Sequence, residues 1–218
     1  MIVPCLLSIL LLIIAYLLGS IPNAVWIGKK YYGIDVREYG SKNAGSTNVL
    51  RVLGRRVALP VFALDILKGF VAVVLVDLIN HIPDISPVWS INLGIITVFA
   101  VVLGHIFPIF AGFKGGKGVA TLVGAIIGIN PPIVLLCLGV WLVIFMIFHY
   151  VSLASMIAGG CLPIFTLLSP TASQSIPFII FTFVIAILLV WTHRKNIDRL
   201  RDGTESKIYI LKKRPTKN

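Results

Sequence analysis

Acidic side chains are scarce in this chain: eight Asp and Glu stand against 19 Lys and Arg in 218 residues, and charged residues of both signs make up only 12%. An ordinary soluble domain is about a quarter charged, so a chain that is 58% hydrophobic must present much of its surface to lipid. Cysteine is also sparse. Cys5, Cys137 and Cys161 all lie in apolar runs, with neither a CxxC spacing nor a histidine pair nearby, which argues against a zinc site. No cluster of carboxylates suggests another cation site, so no metal and no cofactor is expected. No Lys or Arg precedes Lys29. A cleavable signal peptide needs a basic leader, so the first apolar run is expected to be a retained helix with its N-terminus outside. Internal repeats of the kind that mark many transporters are missing.

The apolar runs fall at about 5–27, 57–79, 91–111, 118–130, 132–150, 152–170 and 175–192. A hydrocarbon core of about 30 Å takes roughly 20 apolar residues per helix. The pattern therefore predicts an all-α fold, a polytopic transmembrane bundle of about seven spans forming one domain over residues 1–218. Run 118–130 is short for a crossing, and a re-entrant piece is its alternative. Charge arbitrates between them. Eight of the 19 cations lie from Lys29 to Lys68, two are Lys114 and Lys117, and nine run from Arg194 to Lys217. Seven crossings put all of them on one side, with the C-terminus cytoplasmic, as the positive-inside rule demands. The net charge of +11 then meets anionic membrane lipid. Nucleic acid is not an expected partner, because no nucleic-acid module is present.

Three cytoplasmic segments, 29–56, 112–120 and 193–218, carry the polar chemistry. The first contains Gly40-Ser41-Lys42-Asn43-Ala44-Gly45-Ser46-Thr47-Asn48-Val49-Leu50-Arg51. Glycines let backbone N–H groups approach an anion, the small polar side chains can cap a helix, and Arg51 adds a bidentate fork for phosphate. The second holds Phe113-Lys114-Gly115-Gly116-Lys117-Gly118-Val119-Ala120-Thr121. Its spacing is not that of a Walker A loop, yet Lys117 at a helix start beside glycine amides suits a phosphate equally. A plain positive-inside hairpin is the structural alternative. His105 alone reads as an ordinary hydrogen-bonded interior histidine.

In the third segment His193 and Asn196 are three apart, on one face of a continuing helix. His193 and Asp198 also match the His-x4-Asp spacing of another acyltransferase group, but five residues of helix set that pair on diverging faces. Ser152 and Ser155, at the turn between the fifth and sixth spans, either line the same site or cap and pack.

Three blocks, Gly19 through Arg51, the Phe-Lys-Gly-Gly-Lys-Gly-Val-Ala-Thr run and His193 to Glu205, together resemble the bacterial acyl-phosphate:glycerol-3-phosphate acyltransferase family. The resemblance covers essentially the whole chain. It implies a multi-pass enzyme of the bacterial plasma (inner) membrane with its active site facing the cytoplasm. The implied reaction moves an acyl group from acyl phosphate to the 1-hydroxyl of glycerol 3-phosphate, giving lysophosphatidate in the first acylation of phospholipid synthesis. Membrane lipid and the soluble enzyme that makes acyl phosphate are the implied neighbours.

Matching the blocks puts catalytic roles on Ser41, Arg51, His193 and Asn196. Substrate contacts fall on Asn43, Thr47, Asn48, Lys114, Gly115, Gly116, Lys117 and Gly118, with Ser152 and Ser155 as further candidates, and a structural role falls on Glu205. Arg51 and Lys117 are expected to clamp phosphate, and His193 with Asn196 to hydrogen-bond near the reacting hydroxyl. The proton acceptor stays open between a substrate phosphate and His193. A phosphate transporter would share the positive loops, but it predicts polar groups near the bilayer midplane, whereas these cluster at one end. A non-catalytic scaffold leaves the three blocks without a purpose.

Overall fold

In hydrocarbon every backbone N–H and C=O must find a partner within its own segment, which leaves helices as the solution for such apolar runs. The computed structural model describes residues 2–81 and 86–209, and they form helices and turns with no strand among them. The chain order is α1 (Ile2–Gly19), α2 (Asn23–Tyr32), α3 (Ser46–Val52), α4 (Arg55–Val74), α5 (Pro87–Ile106), α6 (Val119–Ile129), α7 (Pro131–Phe148), α8 (Val151–Leu168), α9 (Ile176–Thr192) and α10 (Arg194–Arg201). Helix starts follow capping rules. Asn130 accepts from the Ile133 N–H, Ser175 from Phe178 and Ser86 from Trp89, with a proline in the first turn of all three helices.

Three departures from the sequence expectation stand out. The first run is not one straight helix over 5–27: α1 and α2 meet at a 41° bend. Pro22 removes a donor there and forces the preceding residue out of the helical region. Likewise the helix does not continue straight from His193 to Asn196, because α9 and α10 are bent by 56°. The third concerns span lengths. Among the described residues four helices are long and apolar enough to cross alone, up to six spans if each bent pair is one, and α6 is a shorter apolar helix. At about 16 Å for its 11 residues, α6 falls well short of the hydrocarbon thickness.

Packing shows how so short a helix fits. Cβ atoms built on Gly69 and Gly124 would overlap the backbones of Thr121 and Ile66, and one on Gly128 would press on Val73, so α4 and α6 run parallel with their backbones touching. Gly19 against Val101 and Gly104 against Tyr16 bring the α1 and α5 backbones together in the same manner, and with Trp89 beside Ser8 at the other end these two helices also run parallel. Val119 at the start of α6 lines the same cavity as Trp141 of α7, and Trp141 lies seven residues before the end of α7, about 10 Å along the helix. The α6 N-terminus is thus recessed below the end of the bundle.

The three basic segments converge at that end. Arg37 Nη1 donates to the Lys114 carbonyl (3.2 Å), Lys117 Nζ donates to Asn196 Oδ1, and Arg51 Nη2 donates to the Ser206 carbonyl (3.5 Å). Four of the cations assigned to the basic tail, Lys212, Lys213, Arg214 and Lys217, lie outside the described residues, as does part of the expected outer loop near His81.

Candidate active site

Segment 36–48 is shaped from within. Asn48 is fully buried, and its Nδ2 donates to the carbonyls of Val36 (2.7 Å) and Tyr39 (3.2 Å). Its Oδ1 accepts from the Ser41 N–H (2.8 Å) and the Ser41 hydroxyl (3.1 Å). One amide therefore folds the loop that carries Ser41 and places α3. Nearby, Asp35 takes a bidentate pair from Arg37, at 2.9 and 2.7 Å. The hydrogen bonds from Arg37 hold the Asp35 carboxyl well below the usual range. Arg37 then reaches the Ala111 carbonyl (2.7 Å) and ties this segment to the glycine turn.

That turn needs its glycines for space. A Cβ on Gly116 would lie 2.1 Å from the His105 ring and one on Gly115 would lie 2.0 Å from the His105 carbonyl oxygen. The Gly116 N–H donates to that same carbonyl. Gly118, at φ +82°, is in the left-handed region that glycine favours, and it turns the chain into α6. No side chain caps α6, so its first N–H groups and the positive end of its dipole are available to an anion.

Over this helix start lies a cavity of about 190 Å³ bordered by α3, α4, α6, α7, α8 and the C-terminal segment. Ser41, Asn43, Thr47 and Arg51 line it from the first segment, Lys117 and Gly118 from the second, and His193, Asn196 and Glu205 from the third, with Ser152 and Ser155 from α8. Lys114, Gly115 and Gly116 do not line it: Lys114 is exposed, and the two glycines border a separate small recess beside Pro22 and Lys68. Asn48 lines the cavity, but its amide is spent on the loop backbone. Asp198 is exposed and stands apart from the site.

Glu205, buried in the wall, is the hub of the charged side. Its Oε1 accepts from Asn196 Nδ2 (2.8 Å) and Ser152 Oγ (2.9 Å), and its Oε2 from Arg199 Nε (2.7 Å). Arg51 Nη2 is 3.6 Å from Oε1. Burial alone would raise the Glu205 pKa, but the hydrogen bonds from Arg199, Asn196 and Ser152 outweigh it and hold the carboxyl below its ordinary value. Asn196 has both ends of its amide engaged, with Lys117 on one side and Glu205 on the other. It therefore aims Lys117. Burial pushes Lys117 down to about 8, with Glu205 opposing and Arg199 and Arg51 reinforcing the fall.

Two groups in the wall keep a hydrogen-bonding position unspent. Arg51 Nε–H is buried and finds no partner among the described residues, so one donor of its fork is unspent. His193 Nδ1 lies 2.8 Å from the Leu189 carbonyl and must donate to it, which leaves Nε2 as the acceptor end of a neutral ring.

Asp65 and Trp141, both in the cavity wall, were missed in the sequence. Asp65 Oδ1 accepts from Asn23 Nδ2 (2.9 Å) and pairs with Lys68 Nζ (3.0 Å). Lys68 Nζ donates onward to the Gly19 and Ile21 carbonyls, both at 2.9 Å, which fixes the α1–α2 bend. His105 Nδ1 shares a hydrogen bond with Thr121 Oγ1 (3.0 Å) and lies 3.8 Å from Asp65, so it is indeed an interior, bonded histidine. An Asp and a Lys three apart inside an apolar run were the available signal, since intramembrane charges mark functional sites by default. Trp141 Nε1 donates to Ser155 Oγ (3.1 Å), and both residues also line an adjoining apolar recess between α6, α7 and α8.

Known proteins bear on this arrangement. The family model described as glycerol-3-phosphate acyltransferase matches residues 9–203. A glycerol-3-phosphate acyltransferase of Clostridioides difficile (strain 630) is 42% identical over 200 residues, covering 92% of this chain and 95% of that one. Another, from Thermoanaerobacter pseudethanolicus (strain ATCC 33223 / 39E), is 44% identical over 202 residues, with 92% and 96% covered. Among solved structures, PlsY (YgiH), an integral membrane glycerol 3-phosphate acyltransferase in its glycerol 3-phosphate form, superposes with a TM-score of 0.82 at 38% identity, covering 94% of this chain and 96% of that one. Its lysophosphatidic acid form gives 0.78 at the same identity and coverage. With the match running through all three polar blocks and the membrane helices alike, the chain belongs to the glycerol-3-phosphate acyltransferase family.

Proposed function

We propose that the chain transfers a fatty acyl group from acyl phosphate to the 1-hydroxyl of glycerol 3-phosphate, releasing inorganic phosphate and lysophosphatidate. The observation that carries this reading is the union of two unlike spaces. A cationic cavity with Arg51 and Lys117 on its wall adjoins an apolar recess, and Val119, Trp141 and Ser155 line both. Two phosphates meet the cations while an acyl tail extends downward. In the step, the bond between the donor's acyl carbon and the oxygen it shares with phosphorus breaks, and an ester bond forms from that carbon to the glycerol oxygen. The hydroxyl proton passes to a phosphate oxygen. Phosphate is a good leaving group, so the protein's contribution is charge neutralisation and alignment. Arg51 offers its unspent Nε–H to a phosphate oxygen, Lys117 and the α6 amides take the second anion, and Ser41 orients the acceptor. Neutral His193 is the alternative proton acceptor.

The three basic segments act as one cytoplasmic surface of a single domain in the bacterial plasma membrane, since the excess of Lys and Arg at that end sets topology. The soluble enzyme that supplies acyl phosphate would meet the same face. The test gives purified protein glycerol 3-phosphate with acyl phosphate, acyl-CoA or acyl carrier protein in parallel. Lysophosphatidate is expected from acyl phosphate alone. Uptake of glycerol 3-phosphate into sealed vesicles with no acylated product would overturn the reading in favour of transport.

A further inference from the structure

The apolar recess has a measurable depth. On α6 its lining runs from Val119 to Ile126, on α7 from Trp141 up to Val134, and on α8 from Ser155 to Leu162. Each stretch advances seven residues, about 10 Å of helix, so three independent walls end at one level. The deep ends are closed: Ile126, Val134 and Leu162 are buried members of the main apolar core. The reason lies in the sequence. Asn130, which caps α7, follows Ile126 by four residues and precedes Val134 by four, so the tight α6–α7 turn forces these side chains together as a floor. The flank is different. Leu138 lines both spaces yet is 39% exposed, and Phe62, on the opposite side of the upper cavity, is 43% exposed.

Resting on the acyl-donor reading above, we propose that the recess reads only the carboxyl-proximal part of the acyl chain. It encloses about eight carbons, at about 1.2 Å per bond of an extended chain, with Ile126, Val134 and Leu162 as its floor. The remaining carbons turn at that floor and leave past Leu138, four residues back along α7, into the bilayer. Specificity is then blind to total length. Donors are distinguished by what lies within the first eight or so carbons, because only those pack against fixed protein walls. Beyond that point a tail exchanges one hydrocarbon surrounding for another and gains nothing.

The experiment is a donor series. Acyl phosphates of increasing length are presented to the detergent-solubilised wild-type protein with saturating glycerol 3-phosphate, at equal micellar mole fraction once they partition. For wild type, kcat/KM is expected to climb by up to about fourfold per added methylene until roughly the eighth carbon, then to stay within about twofold out to sixteen carbons. Within each variant the readout is the ratio of the C10 to the C4 donor. Ala158→Leu, which fills the recess at half its depth, lowers that ratio at least tenfold. Leu162→Ala opens the floor and moves the plateau to longer chains by two or three carbons. A thermal unfolding midpoint checks that each variant is folded. A sharp optimum at fourteen to eighteen carbons in the wild type, or an unchanged ratio in folded Ala158→Leu, overturns the proposal while leaving the acyltransferase reading intact. Failure of every acyl phosphate to yield lysophosphatidate rejects the donor reading, and the inference with it.

Discussion

Asp65 and Glu205 are both buried carboxylates in the cavity wall, but they are assembled in different ways. Asp65 rides on α4, and its cation Lys68 is three residues along the same helix, so the pair is in register as soon as that helix forms. From there it clamps the α1–α2 bend. Glu205 follows Gly203, at φ +67°, in a segment with no regular structure. Its partners come from α3, α8 and α10, and none is local in the way Lys68 is. The first carboxylate holds the scaffold. The second completes its shell only when α3, α8 and α10 have come together around the cavity, where it offsets the charge of Arg51 and Arg199.

The largest effect is expected at Glu205. Removing one partner of a buried ion pair typically destabilises by about 3–5 kcal/mol, and here Arg51, Arg199, Asn196 and Ser152 all lose their acceptor. Glu205→Ala should lower lysophosphatidate formation at least a hundredfold and lower the thermal midpoint as well. Glu205→Gln keeps an acceptor oxygen of the same shape and should recover part of the midpoint while leaving activity depressed. If Glu205→Gln restores full turnover, the charge has no role and the hub is only a hydrogen-bond frame.

A smaller and differently shaped effect belongs to Asp65. Asp65→Asn leaves Lys68 buried without a counter-charge, so the thermal midpoint should fall, while KM for glycerol 3-phosphate in the surviving folded fraction changes less than about threefold. Pairing it with Lys68→Met removes both charges, and the double variant should be more stable than Asp65→Asn alone. A large KM change in Asp65→Asn, with the midpoint preserved, would move Asp65 from the scaffold to the substrate site and erase the contrast.

The contrast also explains what could be read in the sequence. All seven apolar runs, and the convergence of their basic connections, followed from hydropathy and from the 19 cations, because lipid leaves so few alternatives. The breaks at Pro22 and His193 were harder: a run such as 5–27 shows where the chain is apolar and not where it bends. Within the site, Arg51, Lys117 and Glu205 were legible as charged residues among glycines and amides. Which amide does what was not. Asn48 and Asn196 differ only in their neighbours in space, one folding a loop and the other holding Lys117 to Glu205. Asp65 is masked in the sequence because its partner Lys68 also fits the topology signal, although an Asp two turns inside a span is the stronger statement.

The finest discrimination between the two carboxylates comes from pH. Lys117 sits at about 8, chiefly through burial, and Glu205 is the charge that opposes the fall. A cation with that pKa is charged below pH 8 and loses its charge as pH rises, so kcat/KM for the phosphate substrates should decline through an alkaline limb near 8 that reports the free enzyme. Lys117→Arg, whose guanidinium stays charged throughout, should remove the limb even if its overall rate is lower. Glu205→Gln withdraws the one opposing negative charge, so Lys117 gives up its proton more readily and the limb should move to lower pH. Asp65→Asn should leave the limb where it is, because Lys117 titrates under the influence of Glu205, Arg199 and Arg51 and not of Asp65. A limb that shifts in Asp65→Asn and stays fixed in Glu205→Gln would mean that the carboxylate on α4, and not the one in the C-terminal segment, governs the cation over the α6 N-terminus.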